Sequence, residues 1–139
     1  MNIKETIYKW LQYEATPDQE KLIHALEKFT LSSKSNPILI INGHAGTGKT
    51  SLISAYVKSL STLKIRSQLM APTGRAAKVF SSFAKKKAST IHKFIYRHSS
   101  DEGGYSSWKR QENKNSNTVF IIDEASMISS QTAVSGSGF

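Results

Sequence analysis

The chain has 139 residues, about one ordinary domain, of which 38% are apolar, enough for a core. Lys and Arg outnumber Asp and Glu by 19 to 10, a formal charge of +9 that makes a polyanionic partner worth considering. The lack of cysteine excludes a disulfide framework and any thiolate metal site, and no apolar stretch approaches the roughly 20 residues of a membrane span.

The opening "MNIKETIYKW" has no signal-peptide core, so a cytoplasmic setting is expected. Ile3, Ile7, Trp10 and Leu11 recur at helical spacing and predict a short amphipathic helix over the first dozen residues. A second helix is expected in "TPDQEKLIHALEKF". Thr16 caps it, Pro17 suits its first position, and Leu22, Ile23, Leu26 and Phe29 form its apolar stripe. "SSKSNP" then breaks the pattern.

Ile38 to Ile41 is an unalternating apolar run, the pattern of a parallel strand covered on both faces, with a buried helical turn as the plainer alternative. Beyond the glycines of "NGHAGTGKT", Leu52, Ile53, Val57 and Leu60 continue at helical spacing. The same order of strand, loop and helix returns in "IRSQLM" followed by "APTGRAAKVFSSF", and in "VFIID" followed by "EASMIS". Strands alternating with helices predict an α/β fold with a parallel sheet. Between them, "RHSSDEGGYSSWKRQENKNSN" reads as a surface loop or hairpin, with Tyr105 and Trp108 its large apolar anchors.

Gly43, Gly48, Lys49 and Thr50 complete G-x-x-x-x-G-K-[ST] in the strand-to-helix setting that its chemistry demands. A loop of Gly43, Ala45, Gly46, Thr47 and Gly48 bends so that successive N–H groups face a phosphate, and the following helix adds its positive end. Lys49 is placed to reach the β- and γ-phosphates of a nucleotide, and Thr50 to give a hydroxyl to Mg2+. "VFIIDEAS" ends an apolar strand in two acids: Asp123 suits the carboxylate on the magnesium side, and Glu124 a general base that polarises the attacking water. The competing reading is an acidic helix N-terminus, which is common for electrostatic reasons alone.

"GHAGTGKT", "APTGRAAK", "STIH" and "IIDEASMI", in this order, resemble motifs I, Ia, Ib and II of superfamily 1 DNA helicases, in the RecD-like branch that includes the Dda and Pif helicases. The resemblance covers residues from about Thr16 to Ile128. It implies a RecA-like P-loop NTPase fold, a parallel sheet flanked by helices, that couples ATP hydrolysis to stepping along single-stranded DNA, usually 5′ to 3′. The domain division expected is 1–35 for the N-terminal helices and 36–139 for a partial RecA-like ATPase domain.

The resemblance also assigns residues. Gln19 matches the adenine-reading glutamine, and an amide can indeed pair with adenine N6 and N7 at once. Thr16 and Gln19 equally form a capping box, in which the amide turns back to the Thr16 N–H; the two roles can alternate with nucleotide state. Pro72, Thr73, Gly74, Arg75 and Lys78 correspond to the segment that grips the DNA backbone, with N-capping by Thr73 and a solvated helix face as the ordinary alternatives. Thr90 can cap a short helix and touch a phosphate, while His92 faces the strand or packs. The run Lys85 to Lys87 reads as a solvated turn.

The pattern departs from the family after motif II, where the chain ends "SSQTAVSGSGF". The γ-phosphate sensor, the arginine finger and the second motor domain are not in it, nor is a later strand that the family inserts between those of motifs I and II. The expectation is a fold incomplete at the C-terminus, a piece of a longer protein that by itself binds nucleotide weakly and unwinds negligibly. Two other functions fit some of the motifs: a P-loop ATPase that remodels protein, such as a loader or transposition helper, and a nucleotide- or nucleic-acid-binding module without turnover.

Overall fold

The computed structural model describes residues 2–43, 48–100 and 106–128. The chain divides into two compact units, residues 1–67 with 83–85, and residues 68–82 with 86–139.

The first unit is helical. α1 (Ile3–Leu11) opens on a capping box in which the Asn2 side chain accepts the Glu5 N–H at 2.8 Å and the Glu5 carboxylate accepts the Asn2 N–H at 3.2 Å. Ile3, Ile7 and Leu11, four residues apart, are buried where α1 packs on α3 (Lys49–Thr62). Trp10 sits at the margin of that stripe, 38% exposed; its indole N–H donates to Thr62 Oγ1 at 3.2 Å, and the Lys58 ammonium lies 5.4 Å from its ring centroid. α2 (Pro17–Thr30) starts at the expected Thr16 cap and buries Ile23 and Leu26, with Leu22 and Phe29 half-buried beside them.

Tyr8 on α1 donates to the Glu20 carboxylate on α2. That bond, then burial, then the charges of Glu20 and Glu27 push the Tyr8 phenol up to about 12. α3 buries Leu52, Ala55, Tyr56, Val57 and Leu60, each large aliphatic side chain contributing roughly 1.5–3 kcal/mol. The Tyr56 hydroxyl pairs with Thr30 Oγ1 at 2.9 Å; burial raises its pKa and that hydrogen bond works against the rise.

The strand expected at Ile38 to Ile41 is not formed. Residues 38–43 join no ladder among the described residues, and Ile38 and Ile40 are 85% and 78% exposed while Leu39 and Ile41 are half-buried. The side chains alternate as in a strand with one face covered, rather than two. Apolar sequence supplies the tendency to extend, but a strand exists only where a neighbour takes up its N–H and C=O groups.

The second unit holds the sheet. Its order is β2 (Ala88–Thr90), β1 (Arg66–Ala71), β5 (Thr118–Ile122), a three-stranded parallel sheet in which Leu69, Met70 and Ala71 lie opposite Ala88, Ser89 and Thr90. Leu69, Met70 and Ala71 are buried one after another, the run of a central parallel strand. α4 (Gly74–Ala84) buries Ala76, Ala77 and Phe80, and its Ser81 hydroxyl accepts the Ala88 N–H at 2.8 Å, tying helix to edge strand.

α5 (Ile91–Ile95) follows, capped by Thr90, whose hydroxyl accepts the Lys93 N–H at 3.1 Å. The polar stretch forms an antiparallel hairpin of β3 (Tyr96–Ser100) and β4 (Ser106–Arg110), with His98 opposite Trp108. Trp108 meets the His92 ring edge-on at 4.9 Å and stays 55% exposed; Tyr105, the other expected anchor, lies outside the described residues. After β5, the described part of the expected helix is one 3-10 turn, Ala125–Met127, because Glu124 adopts a left-handed φ of 53° and turns the chain out of the strand.

Candidate functional site

The phosphate-loop exit is built by the start of α3. Gly48 has φ 75°, a conformation that glycine adopts without steric cost, and caps the helix with no side-chain hydrogen bond and no acid in the first turn. The first N–H groups of a 14-residue helix therefore have no side-chain cap at Gly48, and the positive end of the helix dipole goes with them. Lys49 and Thr50 occupy the first two helical positions, Lys49 half-buried and Thr50 exposed. An uncapped N-terminus with an ammonium and a hydroxyl at its lip suits a triphosphate and its magnesium. Gly43 is exposed; Ala45, Gly46 and Thr47 lie outside the described residues.

Gln19 reaches this exit from α2. Its Oε1 accepts the Thr16 N–H at 3.0 Å and its N–H donates to Thr16 Oγ1 at 3.3 Å, so the capping box is complete. Its amide nitrogen donates to Tyr13 Oη at 3.2 Å and to the Gly48 carbonyl at 3.3 Å. A Cβ at Gly48 would stand 2.4 Å from that nitrogen, so any side chain there would push the Gln19 amide aside. The capping role and a link to the phosphate loop thus coexist in one buried side chain.

In the second unit the acidic pair follows β5. The Asp123 N–H donates to the Met70 carbonyl at 3.0 Å, which holds the half-buried Asp123 at the end of β5 next to β1. Glu124 is exposed, its left-handed backbone costing roughly 1–3 kcal/mol. Among the described residues no three His, Cys, Asp or Glu side chains cluster as a metal site. Magnesium does not need one, since one or two protein ligands complete a shell of phosphate oxygens and water.

The expected DNA-binding residues divide by exposure. Thr73 caps α4: its hydroxyl accepts the Ala76 N–H at 3.1 Å and its carbonyl the Ala77 N–H at 2.9 Å. Thr73, Gly74, Arg75 and Lys78 face solvent, while Pro72 is buried and shapes the turn beneath them. The His92 ring packs 4.7 Å from Tyr96 as well as against Trp108. Lys78 and Thr90, from separate motifs, meet in a groove of about 620 Å³ whose wall includes Ser81, Lys87, Lys93 and Phe94.

Residues 27–135 of the chain match the AAA domain family. The chain belongs to the AAA domain family. It is also 46% identical over 56 residues to the ATP-dependent DNA helicase dda of Enterobacteria phage T4, a stretch covering 40% of this chain and 13% of that helicase. The chain thus spans a small part of that relative's length. Both findings agree with the motif resemblance: this is a helicase-like P-loop AAA domain, of the kind found in superfamily 1 motors.

The structure places several further residues beside the expected ones. Lys93 and Phe94 directly follow "STIH", and helical spacing from Thr90 was the available signal. Lys87, read as part of a solvated turn, contributes to the groove wall. Tyr13 carried no motif, and only its hydrogen bond to Gln19 reveals it. No helix among the described residues is long and apolar enough to cross a membrane.

Proposed function

We propose that this AAA domain is the ATP-binding half of a DNA helicase that couples ATP hydrolysis to translocation on single-stranded DNA in the 5′ to 3′ direction, in the cytoplasm. The helical residues 1–35 bring the adenine-reading Gln19, residues 36–139 form part of a RecA-like ATPase domain, and the rest of the polypeptide supplies the second motor domain. The observation that carries this reading is the hydrogen bond from the Gln19 amide to the Gly48 carbonyl, because it joins the base-reading residue to the phosphate loop in one unit.

Each residue then has a defined task. The backbone of Gly43, Ala45, Gly46, Thr47 and Gly48 wraps the phosphates, and Lys49 balances charge on the β- and γ-oxygens. Thr50 and Asp123 would hold Mg2+, which when bound neutralises charge on the phosphate oxygens. Glu124 takes a proton from the water that attacks the γ-phosphate in line. Pro72, Thr73, Gly74, Arg75, Lys78, Thr90 and His92, of which Gly74, Lys78 and Thr90 line the groove, hold the sugar–phosphate strand without reading its bases.

The test is the ATPase rate of the full-length protein with and without single-stranded DNA. DNA stimulates a translocase strongly, and Glu124→Gln removes turnover while ATP still binds. Hydrolysis indifferent to DNA would favour a loader-type ATPase, and hydrolysis unaffected by Glu124→Gln would favour a binding module.

A further inference from the structure

Gln19 has a countable set of bonding positions: two lone pairs on Oε1 and two hydrogens on Nε2. One lone pair takes the Thr16 N–H, and both hydrogens are used, one by Tyr13 Oη and one by the Gly48 carbonyl. Reading adenine from its N6 and N7 edge needs one lone pair and one hydrogen. The lone pair is available; the hydrogen is not. Gln19 is also only 5% exposed, so a base cannot reach its amide in this arrangement.

One of the two acceptors must leave, and they differ in freedom. The Gly48 carbonyl is backbone and also accepts the Leu52 N–H at 3.1 Å, the first turn of α3. Gln19 cannot turn away without breaking its bond to Thr16. Tyr13, by contrast, lies beyond the end of α1 with 47% of its surface exposed, and its hydroxyl regains water when it swings out.

We propose that Tyr13 is a purine gate: its phenol oxygen occupies the place of adenine N7 on the Gln19 amide, and ATP displaces it. The proposal rests on Gln19 as the adenine reader, and it makes Tyr13 a determinant of nucleotide affinity. Guanine presents O6, an acceptor, where adenine presents a donor. It therefore meets Oε1 of Gln19 unfavourably, although its N7 accepts the same amide hydrogen as adenine N7.

The experiment is calorimetric titration of the full-length protein and its variants with Mg-ATP and Mg-GTP at up to millimolar nucleotide. Tyr13→Phe removes only the competing oxygen. It is expected to tighten ATP by about two- to tenfold, the worth of one neutral hydrogen bond. Gln19→Ala is expected to abolish the preference for ATP over GTP. Unchanged or weaker ATP binding by Tyr13→Phe, with Gln19→Ala behaving as expected, overturns the gate and leaves the adenine reader standing. An ATP preference that survives Gln19→Ala removes the adenine reader and the gate together.

Discussion

Gly48→Ala tests the junction between α2 and the phosphate loop. Alanine at φ 75° would sit in a left-handed conformation, costing roughly 1–2 kcal/mol. Its Cβ would come within 2.4 Å of the Gln19 amide nitrogen, closer than real contacts allow. That amide must move, giving up its bonds to Gly48 and Tyr13, each worth about 0.5–1.5 kcal/mol. The expected destabilisation is roughly 2–5 kcal/mol. In a Gln19→Ala background the collision is gone, and the same substitution should cost only the backbone share, roughly 1–2 kcal/mol. Urea denaturation followed by tryptophan fluorescence measures both arms of the cycle. An equal cost in the two backgrounds would refute the contact, and no cost in either would refute the left-handed exit.

Thr73→Ala should lower stability by about 1 kcal/mol through loss of the α4 cap and weaken single-stranded DNA binding alike for all sequences, with Thr73→Ser retaining both, as urea midpoints and binding titrations will show. Lys78→Ala and Lys93→Ala should each reduce the slope of log affinity against log salt by about 0.7 if their ammonium groups meet a phosphate, and an unchanged slope would remove them from the interface. In an alkaline absorbance titration, one of the five tyrosines should ionise near pH 12, and Glu20→Gln should bring it back towards 10.0. Because the folded-state pKa of Tyr8 is raised, its stabilisation is complete below about pH 10 and is lost as pH rises from 10 to 12. The urea midpoint should therefore fall more steeply through that window than in Glu20→Gln.

Local chemistry made much of this fold legible. The caps at Thr16 and Thr90, the apolar stripes of α2 and α3 and the strand before α4 follow from spacing and side-chain type, and the structure has them where spacing places them. What local chemistry does not encode is the partner. Ile38 to Ile41 has strand composition yet no ladder among the described residues, and "EASMIS" has helix composition yet turns once, because φ at Glu124 is set by the exit from β5. The candidate site divides in the same way. Gly48, Lys49 and Thr50 are readable from their motif, whereas Tyr13, Lys93 and Phe94 acquire meaning only when folding brings them to Gln19 or to the groove.

The uncovered isoleucines at 38 and 40 have a practical side. Water wets such a strip poorly, and the neighbouring amides and carbonyls are free to template another extended peptide. Concentrated samples of the isolated polypeptide should therefore grow sticky and scatter light, and charged replacements at these two isoleucines should keep them clear.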